Sequence, residues 1–169
     1  MKILPAIPAD APALADLFLA HIEAHPEYIS HGEFQMGVGE SYMKDGVLCG
    51  RPASDAREKW MHYILQHFEN PAKTQVWKAV SLDGDLVGFA VAEIQEDGDA
   101  PFGVVSDVLV KEDFRGKGTG ALLLQTAIGW LRSSGVSGVY LESGRDNHAA
   151  HRFFEKRGFV HVSEIYKLV

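Results

Sequence analysis

One cysteine, Cys49, stands in 169 residues, so no internal disulfide can form and a reducing cytoplasm suits the chain. A lone thiol is more often a small apolar residue than a nucleophile. No apolar run approaches the ~20 residues that span a bilayer, so no membrane partner is expected. The first ten residues carry one lysine and two prolines in place of the apolar core and cleavage site of a signal peptide. Positive charge is scarce: 16 Lys and Arg against 23 Asp and Glu give a formal net charge of −7. That balance argues against nucleic acid, whose binding rests on neutralising phosphates. It favours a cationic small molecule such as an amine, although acidity also serves plain solubility. The GxxxxGK(S/T) and HExxH signatures are absent. His21 and His25 have metal-compatible spacing but no third ligand, so no metal is expected. With no internal repeat, residues 1–169 read as one domain able to bury a core.

What the chain does have is a stretch from Val104 to Leu131 that runs strand, turn, glycine-rich loop, apolar helix. A helix start leaves its first N–H groups unpaired and partly positive, which suits an anion. Gly116, Gly118 and Gly120 strip away side chains that would keep a diphosphate from those groups. Arg115 and Lys117 add full charges. A phosphate-bearing cofactor is the natural occupant. A dinucleotide fingerprint, GxGxx(G/A), is met loosely by Gly116, Gly118 and Ala121, with Glu142 as the ribose-binding acid.

Residues Lys2–Ile7 read as a strand, followed by a helix that Asp10 caps and that buries Leu14, Leu17, Phe18 and Ile22. Residues 25–53, with five glycines and two prolines, read as a long, partly helical loop of the kind that often forms a lid. Ser54 and Asp55 open a helix with Trp60, Met61, Ile64, Leu65 and Phe68 on one face, ended by Asn70-Pro71. Strands at 74–82 and 86–94 flank Asp83-Gly84-Asp85, a hairpin signal. A second turn at 96–99 leads to a strand at 102–110. Such short connections make an antiparallel meander and disfavour the crossovers of a dinucleotide fold. After the glycine-loop helix, Gly135 stops the helix and Val136–Ser143 forms a strand parallel to 102–110. Asn147 caps a further helix to Gly158, and Phe159–Val169 reads as a final strand. The order β-α-α-β-β-β-α-β-α-β is an α/β class with a mixed sheet.

Two motifs carry a resemblance. Arg115-x-x-Gly118-x-Gly120 after a strand ending Leu109-Val110 resembles the acetyl-CoA loop of the GNAT superfamily of N-acyltransferases. Asn147-x-x-Ala150-x-x-Phe153-Phe154-Glu155-Lys156-x-Gly158-Phe159 is similar to that family's later segment, in the right order and separation. The resemblance covers nearly the whole chain. It implies an acetyl-CoA-dependent N-acetyltransferase that moves an acetyl group to a primary amine of a small acceptor, a polycation among the candidates, in a ternary complex, with no metal. It leaves a homodimer open.

The resemblance also implies roles. Backbone groups of Val108, Leu109 and Val110 would hold the pantetheine arm where the two parallel strands splay. Residues Arg115, Gly116, Lys117, Gly118, Thr119 and Gly120 would hold the diphosphate, with Asn147 and Phe153 beside the cofactor. The region between the first two helices shapes the family's acceptor pocket, which makes Tyr28, Glu33, Phe34 and Tyr42 candidates to touch substrate; the alternative is loop packing. Asp107 interrupts an apolar strand, on the face opposite Ser106 and Val108. A charge there needs a partner or an open cleft, and relatives with an acid at this place turn it toward the amine. Glu93 and Glu142 would complete an acidic pocket, unless they only face solvent. Phe154 stands where many relatives have a tyrosine that protonates the departing thiolate, so Tyr140, Ser143 or a water would substitute. Two other classes remain: a CoA-binding sensory domain without turnover, suggested by Phe154, and a nicotinamide-dependent oxidoreductase.

Overall fold

A computed structural model describes residues 1–96 and 100–169; the turn expected at 96–99 falls mostly outside them. The elements are β1 (Lys2–Pro5), α1 (Ala11–Ala24), α2 (His31–Met36), β2 (Gly39–Lys44), β3 (Val47–Pro52), α3 (Ala56–Gln66), β4 (Thr74–Val80), β5 (Leu86–Gln95), β6 (Phe102–Val110), α4 (Thr119–Ser133), β7 (Val139–Leu141) and α5 (His148–Glu155). Five strands form one mixed sheet in the order β1-β4-β5-β6-β7. All neighbours are antiparallel except β6 and β7, which are parallel because α4 carries the chain back between them. The dinucleotide alternative ends there, since its fold needs a mostly parallel sheet.

The sheet is covered on both faces. Phe89 and Val91 of β5 join Leu14, Phe18, Trp60 and Ile64 of α1 and α3. Ala90 and Ala92, one step along the same strand, join Leu123, Leu124, Ala127 and Leu131 of α4 on the other face. Trp60 is fully buried and stacks on Phe18 at 4.8 Å. Gly103 lets α4 close on β6, because a Cβ there would meet the Leu131 side chain at 2.7 Å.

Two expectations fail. The region 25–53 is not mainly loop: β2 and β3 form a separate hairpin around Asp45-Gly46, both at positive φ, as an aspartate-glycine turn prefers. Residues 159–169 form no strand. A strand needs a ladder partner, and the parallel strand expected over 136–143 contracts to the three residues of β7. The terminal segment instead crosses to α2 and β2, where Lys167 Nζ donates to Ser41 Oγ at 2.7 Å and lies 5.1 Å from the Phe34 ring centre.

Candidate active site

β6 and β7 pair only from Gly103–Val105 to Val139–Leu141. Beyond that point the two strands part, leaving the second half of β6 with a free edge. Lys111 N–H donates to the Val87 carbonyl at 2.9 Å. Alternation along the strand then turns the backbone groups of Leu109 toward β5 and those of Val108 and Val110 toward the gap. Of the three residues expected along the cofactor arm, Val108 therefore turns both its N–H and its carbonyl to the gap and Val110 its N–H, since the Val110 carbonyl is taken by Arg115; the Leu109 backbone faces β5, although Leu109 also lines the cavity.

The glycine loop follows directly. Gly116 and Gly118 sit at φ +72° and +86°, with nothing near the place a Cβ would occupy. The first helical bond of α4 runs from Leu122 N–H to the Gly118 carbonyl at 3.1 Å, so the preceding amides lie ahead of the helix ladder. This open cradle at a helix N-terminus fits a diphosphate. The side chains contribute less than expected. Arg115 Nε donates to the Val110 carbonyl at 3.0 Å, and Nη2 donates to His21 Nδ1 at 3.2 Å. Lys117 lies over the Phe114 ring at 5.2 Å. Thr119 is buried with its hydroxyl on the Phe114 carbonyl, which leaves its N–H as its offering. Phe153 sits 3.4 Å from where a Gly120 Cβ would be and under the Arg157 guanidinium at 3.7 Å; it supports the loop from outside the cavity. Asn147 Oδ1 accepts from Ala150 N–H at 3.2 Å and also lines the cavity, so capping and cofactor contact are compatible.

A cavity of about 320 Å³ opens at the parted strands. Four carboxylates line it: Glu33 from α2, Glu93 from β5, Asp107 from β6 and Glu142 after β7. Tyr28 and Phe154 also line it. Glu142 pairs with His31 at 2.9 Å, while Glu33 accepts from Ser30 N–H at 2.9 Å. Phe34 does not reach the cavity: it packs against the α1–α3 core beneath Lys167. Tyr42 is exposed on β2 beside Arg51. Tyr140 is 52% exposed and packs edge-on against Phe102 at 5.7 Å. Strand alternation points it outward while Leu141 lines the cavity, which places Tyr140 too far round to protonate anything there.

Asp107 also departs from simple alternation. The β5–β6 register shifts so that Val91 faces Asp107 and Ala92 faces Val105, leaving Ser106 as a bulge. Both Ser106 and Asp107 consequently line the cavity. The Tyr63 hydroxyl donates to Asp107 Oδ2 at 3.0 Å. Burial, reinforced by Glu33 and Glu93, raises Asp107 from 3.8 to about 7 against the opposing Tyr63 bond. Burial and the Asp107 charge push Tyr63 well above its usual value. Sequence reasoning missed Tyr63, though it lies on the Trp60 face of α3 at helical spacing. Among the described residues no group of three metal-ligating side chains comes together, and no helix is long and apolar enough to cross a membrane.

The sequence pattern of the acetyltransferase (GNAT) family matches residues 39–159. N-alpha-acetyltransferase 30 of Schizosaccharomyces pombe is 27% identical over 128 residues, 75% of this chain and 83% of that protein. Mycothiol acetyltransferase of Propionibacterium freudenreichii is 32% identical over 111 residues, 66% of this chain but 34% of that longer protein. The aminoglycoside 6'-N-acetyltransferase of Acinetobacter haemolyticus shares the fold, with a TM-score of 0.70 at 16% identity over 100% of this chain and 97% of that one.

Proposed function

The chain belongs to the GNAT family of acetyltransferases, and on that premise we propose that it acetylates a primary amine of a small, cationic acceptor by direct attack in a ternary complex with acetyl-CoA, in the cytoplasm. The observation that carries the reading is the adjacency of two unlike surfaces. Bare amides at residues 116–120 suit an anion, and a cavity with four carboxylates suits a cation. Both flank the open edge of β6.

When bound, acetyl-CoA supplies an acetyl group activated as a thioester. The amides of 116–120 would hold its diphosphate, and the backbone of Val108 and the N–H of Val110 would hold its arm. One of those N–H groups is positioned to donate to a carbonyl oxygen in the gap, an interaction worth a few kcal/mol of barrier. Asp107 removes the proton from the acceptor's ammonium. An alkylammonium has a pKa near ~10.4, so raising Asp107 from 3.8 to about 7 narrows the mismatch substantially. Phe154 has no proton to give. A thiol's pKa near ~8.5 makes a side-chain acid dispensable for its departure.

The test is thiol release from acetyl-CoA across a panel of amines, with wild type and Asp107→Asn. Turnover should fall on the order of a hundredfold or more in the variant, with CoA affinity by calorimetry unchanged. An unaltered rate removes Asp107 from the chemistry; no heat with CoA removes the cofactor assignment.

A further inference from the structure

Four carboxylates line the cavity, and among the described residues no lysine or arginine lines it. Three of the four have a partner within the protein. Asp107 accepts from Tyr63 Oη at 3.0 Å, Glu33 accepts from Ser30 N–H at 2.9 Å, and Glu142 pairs with His31 Nδ1 at 2.9 Å. Glu93 differs in what its second oxygen meets. Its Oε1 accepts from Ser106 Oγ at 3.1 Å, but its Oε2 faces His67 Nε2 at 3.9 Å.

His67 is 8% exposed, and its Nδ1 lies 2.9 Å from the Tyr63 carbonyl. A carbonyl only accepts, so Nδ1 carries the hydrogen and Nε2 of the neutral ring is a bare lone pair. That nitrogen has no hydrogen-bond partner. The ring sits edge-on to Tyr63 at 4.4 Å, which fixes the direction of the lone pair. A buried acceptor aimed at a carboxylate lacks a donor, and a cation on the cavity side of Glu93 would be one. The Glu93 side chain is 27% exposed, so it can be reached from there.

Position says which part of an acceptor that cation would be. In the β5–β6 ladder Val91 faces Asp107 and Glu93 faces Val104. Glu93 thus lies two residues, about 7 Å, along β5 from the point opposite Asp107. The displacement runs toward the end where β6 pairs with β7, away from the glycine loop. The neighbouring helix repeats the spacing. Tyr63 of α3 touches Asp107, and His67, which caps α3 one turn of about 5.4 Å further on, faces Glu93. An amine over Asp107 must shed its proton to attack, so it cannot also be the cation for Glu93.

We propose that the acceptor is a short linear diamine whose unreacted ammonium rests on Glu93, with His67 Nε2 behind it, while its other nitrogen reacts over Asp107. The subsite rests on the reading of the cavity as an amine-acetylating site. Diaminobutane, extended, spans roughly the separation of the two carboxylates. Its mono-acetylated product, turned end for end, would offer Glu93 a neutral amide, so acetylation stops at one end.

The experiment compares kcat/KM for diaminobutane, aminobutanol and butylamine in wild type, Glu93→Gln and Glu33→Gln, at a salt concentration that screens long-range attraction. The last two amines keep the reacting nitrogen and lack the second charge. Wild type should prefer diaminobutane on the order of tenfold or more, and mass spectrometry should find the mono-acetylated product alone. Glu93→Gln should erase most of that preference, whereas Glu33→Gln should keep most of it. Taking the ratio within each variant cancels any effect of the lost charge on Asp107. Equal kcat/KM for the three amines in wild type, an equal loss of preference in Glu33→Gln, or a second acetylation as fast as the first would each overturn the subsite. Should Glu93→Gln fail to fold, nitrogen NMR of His67 in the wild-type protein decides. A neutral ring whose Nε2 signal moves with diaminobutane but not with butylamine supports the subsite; a ring already protonated gives Glu93 its cation and overturns it. A wild-type enzyme that acetylates no amine at all instead brings down the reading of the cavity, and the subsite with it.

Discussion

His21 accepts from Arg115, and burial together with the guanidinium and His25 lowers its pKa to about 4. It joins the cofactor loop to the acceptor side, where its ring lies 5.8 Å from that of Tyr28. An unfolded histidine titrates near ~6.5, so between that value and about 4 the unfolded chain binds the extra proton. Stability is therefore intact above the upper value and declines as pH falls toward the lower one. Asp107 has the opposite sign. Its native value of about 7 exceeds the ordinary 3.8, so the native state holds the extra proton in that window and loses stability as pH rises through it. Urea midpoints at pH 5 and pH 8 should separate the two residues. His21→Leu should lose less stability than wild type on going to pH 5, and Asp107→Asn should be more stable than wild type at pH 8. Equal midpoints for Asp107→Asn and wild type at pH 8 would mean that the carboxylate is well solvated in the cavity.

The loop-to-helix junction at α4 lends itself to a second test. Gly118 caps α4 at φ +86°, a conformation that costs an L-residue about 1–2 kcal/mol. In Gly118→Ala the free loop can relax away from that geometry, and binding must restore it. CoA affinity should then weaken by about fivefold to thirtyfold, with only a modest drop in melting temperature. An unchanged Kd would show that the amides of this loop do not hold the diphosphate. This junction was legible in the sequence because glycine has few other uses between a strand and a helix. The meander of β4, β5 and β6 was legible from its turns for a similar reason. The β2–β3 hairpin was missed although Asp45-Gly46 announced it, because surrounding glycines and prolines masked the alternation. Tyr140 was misplaced because one residue of strand register decides which face a side chain takes, and Phe34 because the helix α2 turns it onto the core instead of the cavity. Ser106 and Tyr63 reach Asp107 through a bulge and a helix packing that no local pattern encodes. The failed final strand has the same origin: pairing depends on a partner edge distant in sequence.

At the scale of the molecule, the cavity's four carboxylates lie within a chain of net charge −7. Such a field draws cations from beyond contact range, and salt shortens its reach from ~30 Å at 0.01 M to about 8 Å at 0.15 M. For a diamine or triamine acceptor, kcat/KM should fall on the order of tenfold across that range, with kcat unchanged, because only encounter is steered. A monoamine should show a shallower slope, since fewer charges couple to the field. Glu142→Gln should flatten the polyamine slope, since Glu142 follows β7 on the wall of the cavity. CoA, an anion approaching the same acidic body, should associate faster as salt rises. If stopped-flow measurements gave both partners the same salt dependence, the charge of the chain would be a matter of solubility and the acceptor would be chosen by shape alone.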